Sequence, residues 1–355
     1  MSRTGRLRVA VVRQRYSAYG GAERFVARAL PALERSGVDA TLISRSAEGW
    51  GARRFLKVDP FHLGRLWRDL SFARAARKAW RRAGFDLVQS HERIPGCDIY
   101  RAGDGVHRRW LELRGGGWTP YHRYVCAAEK EMFEHPRLRA VICNSKMVRE
   151  EVRRAFRIAP EKLHVIYNGV DLEHFHPRER ARLRGAARAE IGCTPRDIVF
   201  VFVGSGFSRK GLDTAVAAIS ETSYWLIVVG KDSYRGPSGP RIRFLGGKDD
   251  VRPYYAAADC FVLPTRYDPF PNTALEAMAM GLPAIVSSRC GAAEVIEPGV
   301  NGWICEPDDV AGLRALMQKL ADPERMGQKA CATAEGLGMD AMAKRLAELY
   351  GSLTP

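Results

Sequence analysis

Arg-Tyr-Asp-Pro-Phe-Pro-Asn-Thr-Ala-Leu-Glu-Ala-Met-Ala-Met-Gly-Leu-Pro, residues 266–283, is the stretch that decides the fold. An apolar run precedes it at 260–264 and another follows at 284–286; both read as buried parallel strands. Between them lie a loop and a helix that Asn272 or Thr273 is placed to cap and that Gly281 with Pro283 stops. The first backbone N–H groups of that helix, from Asn272, Thr273, Ala274 and Leu275, face the carboxyl edge of the sheet, where an anion is most easily held. Two acids flank the helix start, Asp268 in the loop and Glu276 one turn inside. A strand, an acid, a helix N-terminus and a second acid suit a sugar nucleotide, with its sugar hydroxyls, pyrophosphate and ribose. A buried α/β unit with solvated acids fits the periodicity equally well.

The rest of the chain repeats this strand-loop-helix pattern. Residues 198–203 form a strand that runs into Gly204-Ser205-Gly206-Phe207-Ser208-Arg209-Lys210-Gly211, where two adjacent cations at a Gly-rich turn are placed to neutralise a pyrophosphate. Strands at 225–229 and 242–245 follow, the second leading to the loop 246–251, which holds Lys248. At the other end, 7–12 is a first strand, and Gly20-Gly21 stand just before an amphipathic helix, where backbone approaches a ligand closely. This is not Gly-x-Gly-x-x-Gly, which argues against a dinucleotide site. Further strands are expected at 39–44, 86–90 and 98–102, with an Arg-rich helix at 63–82 carrying Trp67 and Trp80. The Arg-rich segment 178–188 suits a hinge or short helix between domains, and 310–320 and 341–349 are amphipathic helices.

The acid, seven residues, Glu pattern followed by Ala-x-Ala-x-Gly-x-Pro resembles the signature of the retaining family 4 glycosyltransferases of the GT-B fold. Arg209-Lys210-Gly211, Gly20-Gly21 and His164 to Asp171 resemble the same family. The likeness implies an α/β architecture of two Rossmann-like domains whose parallel sheets face a central cleft. The implied domains are 1–178 for the acceptor, 179–337 for the nucleotide sugar, and a C-terminal helix, 338–355, expected to cross back to the first. It also implies that Asp268, where the family usually has Glu, contacts the transferred sugar and that Glu276 contacts the ribose. Arg209 and Lys210 would hold the donor diphosphate, Gly20 and Gly21 would close over it, and the loop with Lys248 would receive the base. Asp104 and His107, in the Gly-rich loop after the strand at 98–102, become acceptor-side candidates for the chemistry, although an acid there also serves as a turn former.

Within that family, Ile94 to Tyr100, Ala102 with Asp104, Tyr121-His122-Arg123-Tyr124 with Glu129, and Val203 to Gly211 resemble the glucosyltransferases of the lipopolysaccharide core. The expected donor is then a UDP-sugar, the expected hexose glucose, and the expected acceptor a lipid-linked saccharide. Alternatives are a GT-B sugar-nucleotide epimerase, or a family 4 transferase using GDP-mannose or UDP-GlcNAc for O-antigen or capsule assembly. No Asp-x-Asp occurs and the histidines lack carboxylate–His spacing, so neither a metal nor another cofactor is expected.

Composition constrains the setting. With 355 residues and 46% hydrophobic content the chain is long enough for two cores. No apolar run approaches the ~20 residues of a membrane span, and the N-terminus does not read as a signal peptide. Eight scattered cysteines read as small core residues. The net charge of +16 lies wholly in residues 1–180, which hold 36 Lys+Arg against 20 Asp+Glu, while 181–355 hold 20 of each. That asymmetry favours a polyanionic surface. Nucleic acid is not expected, because basic motifs interleaved with aromatics in the usual modules are missing. The expected location is cytoplasmic, on the inner face of an anionic membrane, with the basic helix 63–82 as the docking element.

Overall fold

The computed structural model describes residues 6–15, 31–46 and 54–354. Gly20 and Gly21 lie outside them. The chain divides into two compact units, Met1–Gly169 with Met339–Pro355, and Val170–Gly338.

The first unit is built on seven strands: β1 (Leu7–Val12), β2 (Val38–Ser44), β3 (Phe55–Lys57), β4 (Leu87–Ser90), β5 (Ile99–Ala102), β6 (Ala140–Cys143) and β7 (Leu163–Val165). They pair in the order β3-β2-β1-β4-β5-β6-β7, every pair parallel. The second unit holds β8 (Val199–Val203), β9 (Trp225–Val229), β10 (Ile242–Phe244), β11 (Cys260–Leu263), β12 (Ala284–Ser287) and β13 (Gly302–Cys305). Their order is β10-β9-β8-β11-β12-β13, again all parallel. Strands β8, β9, β11 and β12 are buried along their whole length, which is why they read as unbroken apolar runs without alternation. In each sheet the chain order reverses between two neighbours, β1 and β4 in the first and β8 and β11 in the second. Beyond the carboxyl ends of such a pair the connecting loops diverge and leave a crevice where ligands bind.

The helix Met339–Ser352 belongs to the first unit. Met342, Ala343, Leu346, Leu349 and Tyr350, spaced at helical period, enter the core formed by Val9, Leu87, Ile99 and Ala140. The buried Tyr350 hydroxyl donates to Gln89 Oε1 at 2.7 Å.

The segment expected as a hinge or short helix at 178–188 is a fifteen-residue helix, Pro177–Ile191, inside the second unit. Three of its arginines do not belong to a solvated face. Arg180, Arg184 and Arg188 recur every fourth residue and point together at the last carbonyls of the helix Arg252–Ala257: Arg184 Nη1 donates to Ala256 O at 2.9 Å and Ala258 O at 2.8 Å, Arg188 Nε to Ala257 O at 3.0 Å, and Arg180 Nη2 to Ala258 O at 3.1 Å. Guanidiniums here satisfy carbonyls that a helix end leaves unpaired and complement its negative pole. Asp259 anchors the cluster, accepting from Arg188 Nη2 and from Val199 N.

The helix expected at 63–82 spans Gly64–Ala83 and ends at Gly84 with φ 63°. Trp80 is buried in the first unit's core, so it is not available to a membrane, whereas Trp67 is 55% exposed. All eight cysteines are free thiols and six are buried; burial pushes Cys143 and Cys305 up to about 12.

Candidate active site

Because β8 pairs with β11, the loops that leave their carboxyl ends are neighbours, and residues nearly sixty positions apart meet. Arg209 and Lys210 end the short helix Phe207–Lys210 after β8; Asp268 lies in the loop after β11. Lys210 Nζ hydrogen-bonds Asp268 Oδ2, and Arg209 Nη1 lies 3.5 Å from the same oxygen while donating to Tyr267 O at 2.8 Å. Lys210 and Asp268 are 8% and 5% exposed, so the attraction acts with little solvent screening.

The backbone makes this approach possible. Arg266 N donates to Arg209 O at 2.8 Å, and Thr265 Oγ1 donates to the same carbonyl at 2.9 Å. Gly211 sits between the loops at φ +72°, and a Cβ there would lie 2.0 Å from Pro264 O. Only glycine fits. Arg266 braces the arrangement from outside, with its guanidinium between Asp213 Oδ2 at 2.7 Å and Asp308 Oδ1 at 2.8 Å. Asp232 accepts from the backbone N–H groups of Gly206 and Phe207 and fixes the start of the turn that carries the cations.

The helix of the opening stretch spans Asn272–Ala279. Neither Asn272 nor Thr273 caps it: Pro271 holds the N-cap position without a side-chain bond, and Ala274 N–H donates within the turn to Pro271 O at 3.2 Å. Thr273 instead buries Oγ1, which has no hydrogen-bond partner among the described residues. A buried unpaired hydroxyl costs on the order of 1–3 kcal/mol. Glu276 is half-buried one turn on, and Leu275, between them, is in the core. The buried Tyr255 hydroxyl lies 3.2 Å from both Thr273 O and Glu276 Oε2, orienting the carboxylate. Lys248 is exposed, its ammonium 5.7 Å from the Tyr254 ring centroid. Tyr255, Asp232 and Arg266 had no signal in the sequence, since each acts across elements.

Asp104 and His107 lie in the first unit, after β5. Asp104 is exposed. The His107 backbone N–H donates to both oxygens of the buried Glu129 carboxylate at 3.1 and 3.0 Å, and Arg93 Nε donates to Glu129 Oε1 at 2.8 Å. His107 Nε2 lies 3.0 Å from His122 Nδ1. Burial above all, then Arg93, His122 and Arg114, lowers the His107 pKa to about 4. At neutral pH its imidazole carries no charge. Among the described residues no three His, Cys, Asp or Glu side chains are grouped to hold a metal ion.

Two family models match the chain, Glycosyltransferase Family 4 over residues 19–174 and Glycosyl transferases group 1 over residues 197–322. The second contains every residue of the Arg209–Lys210–Asp268 cluster and the helix beside it. Similar proteins include a probable transglycosylase of Burkholderia thailandensis, 27% identical over 87% of this chain and 85% of the relative. The lipopolysaccharide core biosynthesis glycosyltransferase LpsE of Rhizobium meliloti is 28% identical over 85% of this chain and 86% of its own. The lipopolysaccharide glucosyltransferase WaaG of Escherichia coli is 23% identical over 88% of each. A crystal structure of WaaG superposes with a TM-score of 0.82 at 19% identity, covering 96% of this chain and 99% of that one. The structure of HepE from Anabaena in complex with UDP-glucose gives 0.75 at 18% identity, covering 98% of this chain and all of that one.

Proposed function

The chain belongs to the family 4 glycosyltransferases of the GT-B fold and is a hexosyltransferase, and from that premise we propose that it moves glucose from UDP-glucose, with retention at the anomeric carbon, to a lipid-linked saccharide such as the lipopolysaccharide core. The observation that carries this reading is the pair of cations held by one buried carboxylate at the β8/β11 crevice. An arriving diphosphate competes with Asp268 for Lys210 and Arg209. As the cations turn to the phosphates, the Asp268 carboxylate is released toward the hydroxyls of the donor sugar. Glu276, oriented by Tyr255, takes the ribose, and Thr273 Oγ1 supplies one further donor. Lys248 and its loop receive the base.

In the transfer, the bond from the anomeric carbon to the UDP oxygen breaks as the acceptor oxygen bonds that carbon on the same face. The acceptor proton passes to the departing phosphate. Arg209 and Lys210 stabilise the charge that grows on it, the kind of fixed electrostatic support that lowers a barrier most effectively. Asp104 and His107 serve the acceptor. UDP and UDP-glucose should raise the melting temperature more than GDP, ADP or their sugars at equal concentration, and turnover should persist in EDTA. A preference for GDP-mannose would replace the donor assignment, and loss of turnover in EDTA restored by a divalent ion would remove the metal-independent reading.

The acceptor's lipid is met, in this reading, by the start of the helix Gly64–Ala83. Among the described residues no helix is long and apolar enough to cross a membrane. Phe61, Leu63 and Trp67 are 75%, 67% and 55% exposed. Trp67, Leu70, Ser71, Arg74, Ala75 and Lys78 line a surface hollow of ≈ 430 Å³. An exposed aromatic and aliphatic cluster beside cations is the composition that seats at an anionic interface. Each basic residue near such a surface contributes about 1 kcal/mol, so binding should be reversible and salt-sensitive. Vesicles containing anionic lipid should sediment the protein at low salt and release it at high salt, and Trp67→Ala with Leu63→Ala should weaken binding about tenfold or more. Equal binding to neutral vesicles would refute the assignment.

A further inference from the structure

A chain of polar groups links the C-terminal helix Met339–Ser352 to the end of β4. The buried Tyr350 hydroxyl donates to Oε1 of the buried Gln89 at 2.7 Å, and Gln89 Nε2 lies 2.9 Å from His91 Nε2. His91 follows the last residue of β4, and its backbone N–H donates to Val12 O at 2.9 Å, which places it at the β1/β4 crevice of the first unit. Counting donors fixes the direction of the chain. Turning the Gln89 amide over would aim its N–H at the Tyr350 oxygen and leave the buried hydroxyl proton without an acceptor among the described residues, at a cost on the order of 1–3 kcal/mol. Gln89 Nε2 is therefore the donor and His91 Nε2 the acceptor. Burial first, then Arg101 and Arg13, holds the His91 pKa well below its ordinary value, so at neutral pH the imidazole carries one proton. With Nε2 accepting, that proton is on Nδ1. Nδ1 has no hydrogen-bond partner among the described residues, and the residue is half-buried rather than sealed in the core.

From this geometry we propose that Tyr350 and Gln89 are positioning residues: they hold His91 in the Nδ1–H tautomer, so that it presents an uncharged N–H donor to a hydroxyl oxygen of a bound sugar. Donors are the scarcer groups at this end of the sheet. Glu92, the next residue, and Asp104 both supply acceptors, while Arg13 is held by Glu92 and Arg93 by the buried Glu129. A sugar hydroxyl has one proton to give and two lone pairs to fill, and the other tautomer would add a further acceptor where a donor is needed. The C-terminal helix thereby does more than fill the core with Met342 and Leu346: its one buried hydroxyl sets the hydrogen-bonding sense of a side chain at the crevice. The proposal rests on the transferase reading only for what His91 meets, and the tautomer stands apart from it.

Long-range proton–nitrogen NMR of the histidine rings in the substrate-free protein at neutral pH, with His91 assigned through His91→Gln, reads the tautomer directly. The wild type should show the Nδ1–H form. Gln89→Glu replaces the amide donor by a carboxylate that only accepts, and should place a proton on Nε2. Tyr350→Phe should give a mixture of tautomers, since the amide is then free to turn. Both variants should lower turnover with UDP-glucose and a lipid-linked core saccharide about tenfold or more. Because each also strands a buried polar atom, Gln89→Met with Tyr350→Phe removes the pair together; the melting temperature should return toward that of the wild type while turnover stays low. Added one at a time, UDP-glucose or the lipid-linked saccharide should shift the His91 Nδ1 signal, and the one that does so identifies whose hydroxyl is met. The proposal falls if the substrate-free wild type shows Nε2–H, if Gln89→Glu leaves the tautomer unchanged, or if neither sugar moves Nδ1. It falls equally if turnover recovers with the melting temperature in the double variant, which would make the pair structural only. Failure of the transferase reading is seen separately, as a wild type that forms no product while its tautomer is as expected.

Discussion

Replacing Arg209 and Lys210 together by alanine should lower sugar transfer by on the order of a hundredfold or more. Both cations converge on one oxygen of Asp268, and because Lys210 and Asp268 are buried, the charge that Lys210 supplies to a departing diphosphate is little screened. Removing one fixed donor from a site where charge develops costs roughly 10²–10³ in turnover, and two acting as a unit lose about as much together. The substitution also leaves Asp268 buried without a cation, which destabilises the loop. Adding Asp268→Asn removes that stranded charge. If transition-state charge is the reason for the loss, the triple variant recovers its melting temperature without recovering turnover; near wild-type turnover in the double variant would exclude these residues from the donor site.

Asp259→Ala should be the most damaging single change to stability in the second unit. Asp259 is 5% exposed and Arg188 4%, and the carboxylate is what balances Arg188 and Arg184 over the end of the helix Arg252–Ala257. Its loss strands a buried guanidinium and unpairs Val199 N, at a cost of roughly 3–5 kcal/mol for a broken buried pair. The transition that carries the second unit should move to lower urea by about 1–2 M. Arg182→Ala, on the same helix but 62% exposed and paired with Glu179, should shift it by less than about 1 kcal/mol. Equal shifts for the two variants would contradict the clamp.

The two β/α halves were legible because fully buried parallel strands leave unbroken apolar runs, as at β8, β11 and β12, and because Gly and Pro close the helices between them. That Arg209, Lys210 and Asp268 serve one donor was legible only as an expectation carried by a resemblance, and their direct pairing was not read at all. The residues themselves do not say that β8 lies beside β11; strand order is a tertiary fact, and it alone brings the loops together. Arginines were the hardest residues to read. At 180, 184 and 188 the one-letter pattern is that of a solvated linker, yet a helix-end acceptor set and a buried Asp259, more than seventy positions away, turn that face inward. Trp80 looked like an interface aromatic for the same reason: its neighbours Lys78, Arg81 and Arg82 are charged, but its own face of the helix packs on the sheet. Thr273 was misread as a cap because propensity places hydroxyls there, whereas Pro271 already starts the helix and leaves the hydroxyl for something else.

The most direct measurement is product analysis by NMR after incubation of the purified protein with UDP-glucose and a lipid-linked core saccharide, with a parallel sample lacking the acceptor. The account predicts a glucosylated acceptor whose new linkage keeps the α configuration of the donor, formed only when acceptor is present at more than a trace hydrolysis rate. A β-linked product would contradict retention, and conversion of UDP-glucose to an epimeric UDP-sugar without acceptor would contradict transfer itself.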